Sequence, residues 1–201
     1  MSRSWKEVVG EHLDLIKGLE SQAETLEAIV NALSEALRAG GRIYLLGNGG
    51  SAADAQHIAG ELLGRFRHDR AALPATALST DTSTLTAIAN DLGYEQVFAR
   101  QVEALVRPGD VVWILSTSGR SPNALAAARA ARKRGAAVIG FTSTGGGPLA
   151  ELCTHALRVP HHSSDRIQEA HALAYHYLCE RVEAAFAESC PRPASGAAPA
   201  R

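Results

Sequence analysis

The sequence predicts an α/β protein: a parallel sheet covered by helices on both faces, preceded by two further helices. Three observations carry this. From residue 42 onward, strand, turn and helix patterns repeat in that order. The strand-like runs are short and unbroken in their apolarity, the mark of strands buried on both faces. The stretches between them have helical period and enough length to cross back over a sheet, which right-handed crossovers then keep parallel.

The first 38 residues hold two helical patterns. Trp5, Val8, Val9, His12, Leu13, Ile16 and Leu19 recur at steps of three and four. Leu26, Ile29, Val30, Leu33 and Leu37 do the same until Gly40-Gly41 stops the second helix. Each stripe needs a surface to pack on, in its own domain or on another subunit. Strands are then predicted over 42–46, 74–78, 110–115, 137–141 and 155–159, the third being fully apolar and central. Helices are predicted over 51–63, 83–89, 95–106, 123–134 and 148–152, and a long one over 164–188. One domain therefore spans 1–188. The tail, 189–201, mixes Pro, Ala, Ser and Gly without periodicity, and disorder is expected there.

Composition narrows the function. The 201 residues are 46% hydrophobic and 20% charged, with 20 basic against 21 acidic side chains and a formal charge of -1. That balance excludes a general electrostatic grip on nucleic acid or on an anionic membrane. No apolar run nears the ~20 residues of a membrane span, and the N-terminus lacks the apolar core and cleavage site of a signal peptide. Cys153, Cys179 and Cys190 are odd in number and follow no metal-binding spacing, so they read as reduced thiols of a cytoplasmic protein.

Ligands of parallel sheets bind outside the carboxyl ends of the strands, and two loops there are chemically distinctive. After the first strand comes Gly47-Asn48-Gly49-Gly50-Ser51-Ala52-Ala53-Asp54. Its glycines let a ligand approach the backbone, and Ser51 with Asp54 has the spacing of a capping box. It is neither a dinucleotide fingerprint nor a P-loop. After the third strand comes Ser116-Thr117-Ser118-Gly119-Arg120-Ser121-Pro122-Asn123, with four hydroxyls in six positions. Ser121 is placed to cap the next helix, which Pro122 opens. Hydroxyls, amides and a helix N-terminus form a neutral cradle for a phosphomonoester. A third loop, 142–148, reads as a flexible turn.

His57 and Glu61 lie four apart, on one helix face and about 6 Å apart along the axis, where they could share a metal or a substrate. Spacing alone leaves an ordinary exposed pair as the commoner meaning. The last helix carries Asp165-Arg166-Ile167-Gln168-Glu169-Ala170-His171, then His176. Gln168 and His176 stand about 80° apart round an ideal helix and about 12 Å along it. Their convergence on one ion would need leaning side chains or a bent helix. His161, His162 and His171 show no partner in sequence; 161–162 reads as a solvent-facing loop and His171 as a core or interface residue.

Taken in order, GNGGSAADAQHIAGE, the Asn90-Asp91 pair of IAND, STSGRSPN and DRIQEAH followed by His176 resemble the sugar isomerase (SIS) domain family, over roughly residues 5–188. The resemblance is greatest to its branch acting on heptose 7-phosphates. It implies an SIS-domain sandwich with a five-stranded parallel sheet flanked by helices, assembled as a homotetramer with sites between subunits. It implies substrate contacts from Asn48, Gly49, Gly50, Ser51, Glu61, Asn90, Asp91, Ser116, Thr117, Ser118, Ser121 and Gln168, the serine loop holding the phosphate. One Zn2+ per subunit would fall on His57, Glu61, Gln168 and His176. Glu61 would be the base and His176 its partner in converting sedoheptulose 7-phosphate to D-glycero-D-manno-heptose 7-phosphate through an enediol. Two alternatives stand beside it. One is an isomerase of another phosphosugar. The other is a non-catalytic regulator of replication initiation, from a branch in which the residues matching Glu61 and His176 are not retained.

Overall fold

In the computed structural model, which describes residues 3–187, Ser4 opens α1 (Trp5–Gly18) through a reciprocal capping box with Glu7. A 3-10 turn, Leu19–Gln22, leads into α2 (Ala23–Arg38). The α2 stripe packs as the periodicity predicts, with Ile29, Val30, Leu33 and Leu37 all buried. The α1 stripe does not. Only Leu15 and Leu19 are buried, against Val159, Ile167 and Ala170, while Trp5 is 79% and Leu13 53% exposed.

The alternating elements follow as β1 (Ile43–Gly47), α3 (Gly50–Leu63), β2 (Ala75–Ala77), α4 (Thr82–Leu92), α5 (Ala99–Leu105), β3 (Val111–Leu115), α6 (Pro122–Lys133), β4 (Ala137–Ser143), α7 (Gly147–Leu152), β5 (His155–Val159) and α8 (Ser164–Ala187). The helix predicted over 95–106 is divided: a 3-10 turn at Tyr94–Gln96 precedes α5. The tail assigned to 189–201, with Cys190, lies outside the described residues.

All five strands are parallel, in the order β2-β1-β3-β4-β5. Side chains alternate faces along a strand, and both faces are dry. Ile43, Leu45, Val111, Trp113, Ile139 and Phe141 meet α2, α3 and α8 on one side. Tyr44, Leu46, Val112, Ile114 and Val138 meet α5, α6 and α7 on the other. That two-sided burial is why the strands read as unbroken apolar runs. From β1 the chain moves one way to β2 and then the other way to β3, so the strand order reverses between β1 and β3. A crevice opens at such a point beyond the strand ends, flanked here by the glycine and serine loops. Cys153 and Cys179 are free thiols pushed up to about 12 by burial, which keeps them unreactive. No helix among the described residues is long and apolar enough to cross a membrane.

Candidate active site

The glycine loop is tighter than its capping-box spacing suggests. Gly49, at φ 57, is the N-cap, and no side chain caps the helix. Ser51 therefore sits inside the first turn, 3% exposed, and the expected cap is absent. Asp54 is released from capping and turns toward α8, where the Tyr175 hydroxyl lies 3.5 Å from its Oδ1. Across the crevice, Asn48 and the buried Asn123 exchange amide hydrogen bonds of 2.9 and 2.8 Å. Tyr94 Oη also donates to Asn48 Oδ1 at 3.1 Å. The two loops are thereby held at a fixed separation. A pocket of about 490 Å³ opens beside them, lined by Asn48, the 93–95 turn and the 121–123 start of α6.

The serine loop is curled upon itself. Ser121 is the N-cap of α6 by position, but its hydroxyl does not cap the helix; it lies 3.4 Å from the Ser116 hydroxyl. Ser118 Oγ accepts from the Arg120 amide at 3.2 Å. Thr117 reaches the Ser164 hydroxyl at the start of α8, 3.3 Å away. At Gly119, φ is 60, and a Cβ there would lie 2.1 Å from the Gly146 carbonyl oxygen. The 142–148 segment, expected as a flexible turn, is the wall behind this loop: a Cβ on Gly147 would lie 2.7 Å from the Gly119 carbonyl oxygen, which accepts from Leu149 N, just past the segment, at 3.1 Å. The starts of α3, α6 and α8 thus gather round one crevice, and their free N–H groups favour an anion there.

Asn90 and Asp91 lie exposed at the end of α4, Asn90 donating to Asp91 at 2.8 Å. No hydrogen bond among the described residues joins them to either loop.

Helices α3 and α8 run side by side in the same direction, because their contacts advance together. The Gln168 amide lies against Gly50, where a Cβ would come within 2.6 Å of its Nε2. A turn or two further on, Tyr175 Oη meets His57 Nδ1 at 3.1 Å, and the His57 and His176 rings stand 5.0 Å apart. Past the end of α3, Glu183 accepts from the amides of Phe66, Arg67 and His68 at 2.8, 2.6 and 2.9 Å. His57, Glu61 and His176 therefore converge. His57 Nε2 lies 3.1 Å from Glu61 Oε1, and one ligand atom from each of the three falls within 4.8 Å of the others. Gln168, by contrast, rests two turns away, at the head of α3.

Two imidazoles and a carboxylate are a donor set that holds a catalytic zinc with a coordination position left open, and other divalent ions too. The separations fit such an ion after small side-chain shifts, so these three residues form a possible metal-binding triad. Phe66 stacks on His176 at 5.8 Å and 17°. The loop carrying it is fixed by Glu183 and by Arg70, whose guanidinium bonds the Glu61 carbonyl at 2.7 Å. Burial would raise the Glu183 carboxyl, but the three amides and Arg70 outweigh it and hold it below its ordinary range. Burial, opposed by the Tyr175 hydroxyl and by His57 and His176, holds the Asp54 carboxyl above its own. Burial, with the Asp54 charge adding to it, pushes the Tyr175 hydroxyl up, so the hydroxyl keeps its proton.

The sequence reading missed Asp54 as a site residue, together with Tyr175, Phe66, Asn123 and the Arg70–Glu183 pair. Asp54 carried a signal, lying three before His57 and seven before Glu61 on the same helix face. The others carried none, since nothing local tells a tyrosine docked on a histidine from one in a core. His161 gains a partner in Glu11, its Nε2 3.1 Å from Oε1, while His162 is exposed as expected. His171 is a core residue, fully buried beside Phe141.

Fold and site together define a doubly wound parallel α/β protein whose crevice, at the point where the strand order reverses, favours an anion. The profile of the SIS domain matches residues 9–143, and the chain belongs to the SIS domain family. It is 56% identical over 165 residues to a phosphoheptose isomerase of Roseiflexus sp. (strain RS-1), covering 82% of this chain and 84% of that one. It is 51% identical over 164 residues to a phosphoheptose isomerase of Rhodospirillum rubrum, covering 82% and 87%. Among solved structures, the phosphoheptose isomerase of Neisseria gonorrhoeae superposes with a TM-score of 0.83 at 39% identity, over 90% of this chain and all of that one.

Proposed function

We propose that the chain is a phosphoheptose isomerase, interconverting sedoheptulose 7-phosphate and D-glycero-D-manno-heptose 7-phosphate in heptose biosynthesis. The observation that carries this is the convergence of His57, Glu61 and His176 next to a crevice ringed by helix N-termini. Relatives bearing that activity in their names, at more than half identity, agree with it.

The serine loop and the helix starts would bind the phosphate, with Ser116, Thr117, Ser118 and Ser121 as hydroxyl donors. The glycine loop of Asn48, Gly49, Gly50 and Ser51 would lie along the sugar, with Gln168 beside it. Glu61 would take the proton from C1, next to the C2 ketone, and leave an enediol. The same carboxyl returns a proton to C2, while His176 moves the hydroxyl proton from O1 to O2. The products are an aldehyde at C1 and an alcohol at C2, with atoms conserved. Proton transfer by a placed side chain contributes roughly 10²- to 10⁴-fold. Glu61 can serve beside a cation because it has two oxygens: Oε1 faces His57, and Oε2 remains for the substrate. Zn2+, held by His57, Glu61 and His176 with Gln168 swinging in, would polarise the carbonyl oxygen.

We also propose a homotetramer in which Asn90 and Asp91 complete a site across the subunit boundary. Exposed apolar side chains on α1, and α4 with no buried residue, support it. The protein would act in the cytoplasm. The test is proton NMR of the purified protein with sedoheptulose 7-phosphate, with added zinc and after chelation. Appearance of the aldose phosphate supports the assignment, and its loss on chelation makes the metal functional. A folded, zinc-loaded protein that turns over another phosphosugar but not this one overturns the heptose assignment.

A further inference from the structure

The Tyr175 hydroxyl lies between two groups. Asp54 Oδ1 is 3.5 Å away and His57 Nδ1 is 3.1 Å away. Asp54 Oδ2 is buried and has no partner among the described residues, so the bond from Tyr175 is the one side-chain donor available to that carboxylate. A half-buried carboxylate can only accept, and leaving it without a donor costs the desolvation of an unpaired charge. The hydroxyl has a single proton. Given to Asp54, it leaves the phenol oxygen to accept from His57, which must then carry its own proton on Nδ1. Its lone pair is then on Nε2, the nitrogen that faces Glu61 at 3.1 Å. Two acceptors facing each other at that distance repel, and a cation between them removes the repulsion.

We propose that Asp54 and Tyr175 are positioning residues which set the His57 tautomer, presenting the Nε2 lone pair toward Glu61 and His176 as a preformed ligand for a divalent cation. The inference builds on the metal site proposed above. Ring contacts add orientation, since Tyr175 lies 5.5 Å from the His57 ring at 68° and 4.6 Å from that of His176. A carboxylate or hydroxyl on the far nitrogen of a ligating histidine fixes its tautomer and raises its basicity, and removing it typically costs 10- to 100-fold in metal affinity.

Two measurements on the full chain at one fixed, mildly alkaline pH decide it. In the first, ¹⁵N NMR of the metal-free wild type, with His57→Gln for assignment, reads which His57 nitrogen is protonated. Nδ1–H is expected, and Nε2–H overturns the proposal without reference to any metal. In the second, zinc is titrated against a chromophoric chelator for wild type, Tyr175→Phe and Asp54→Asn, each checked for folding by circular dichroism. Affinity is expected to fall 10- to 100-fold in both variants, with the His57 signals of Tyr175→Phe shifting toward a tautomer mixture. Unchanged affinity and unchanged tautomer in folded variants overturn it. A wild type that binds no zinc but shows Nδ1–H refutes the metal site and leaves the tautomer assignment standing.

Discussion

Single residues decide how rigid the site is. At Gly119, a left-handed φ of 60 coincides with a Gly146 carbonyl 2.1 Å from any Cβ, so strain and clash act together. Gly119→Ala is expected to cost about 1–3 kcal/mol and to raise KM for the sugar phosphate more than it lowers kcat, as steady-state kinetics and thermal melts would show. An unchanged KM would separate this glycine from phosphate binding. His171 is fully buried, with Nε2 3.4 Å from the Thr142 carbonyl and Nδ1 unpartnered. Burial pushes it down to about 4, against the raising effect of that carbonyl, and no charged side chain contributes. Its folded pKa lies below the unfolded ~6.5, so the unfolded chain takes the proton first as pH falls. Stability from this group is complete above ~6.5 and is lost through the window down to 4, by up to about 3 kcal/mol. Urea unfolding at pH 7, 6 and 5 should show the decline; a flat profile contradicts it. His57 and Glu61 were visible in sequence because helical spacing places them on one face. Tyr175 was not, because its role arises only when α8 docks on α3.

At the scale of elements, the parallel course of α3 and α8 explains both a success and a failure of spacing arguments. Three stations match along the two helices: Gln168 on Gly50, Tyr175 and His176 on His57, and Glu183 on the turn after α3. Gln168 and His176 therefore cannot share a contact with His57 without movement, as their 12 Å separation along an ideal helix implied. The last station is the anchor. Glu183 is buried with three amide donors, and Arg70 Nε lies 3.4 Å from it with its side chain also buried. Glu183→Ala would leave those amides without their acceptor and the buried Arg70 without its opposite charge. A loss of about 3 kcal/mol is expected in denaturant unfolding, with Phe66 freed from His176 and kcat reduced. A Glu183→Ala protein as stable as wild type would refute the anchoring role. Strand positions were legible to within about two residues because burial on both faces leaves a continuous apolar run. Helix starts were legible as closely except at α5, which a 3-10 turn delays to Ala99; what failed at α3 was the cap, since backbone geometry at Gly49, and not a side chain, begins it.

For the whole molecule, the unresolved demand is on the surface. A protomer with Trp5 79% and Leu13 53% exposed, and with α4 carrying Leu92 at 51%, presents apolar area that a second copy would cover. Light scattering should give four times the chain mass, and Trp5→Asp with Leu13→Asp should shift it to smaller species. A wild-type monomer with full activity would contradict the composite site. The sequence showed that the α1 stripe needed a partner, but amphipathic period is the same for a helix facing its own sheet and for one facing a neighbour. The central claim is that Glu61, gathered with His57 and His176, moves a proton between two carbons of a heptose phosphate. It is tested most directly by solvent deuterium incorporation during turnover in D2O, comparing wild type with folded Glu61→Gln. The account predicts deuterium at C2 of the aldose product with wild type and none above background with Glu61→Gln. Exchange at an undiminished rate in Glu61→Gln would contradict it.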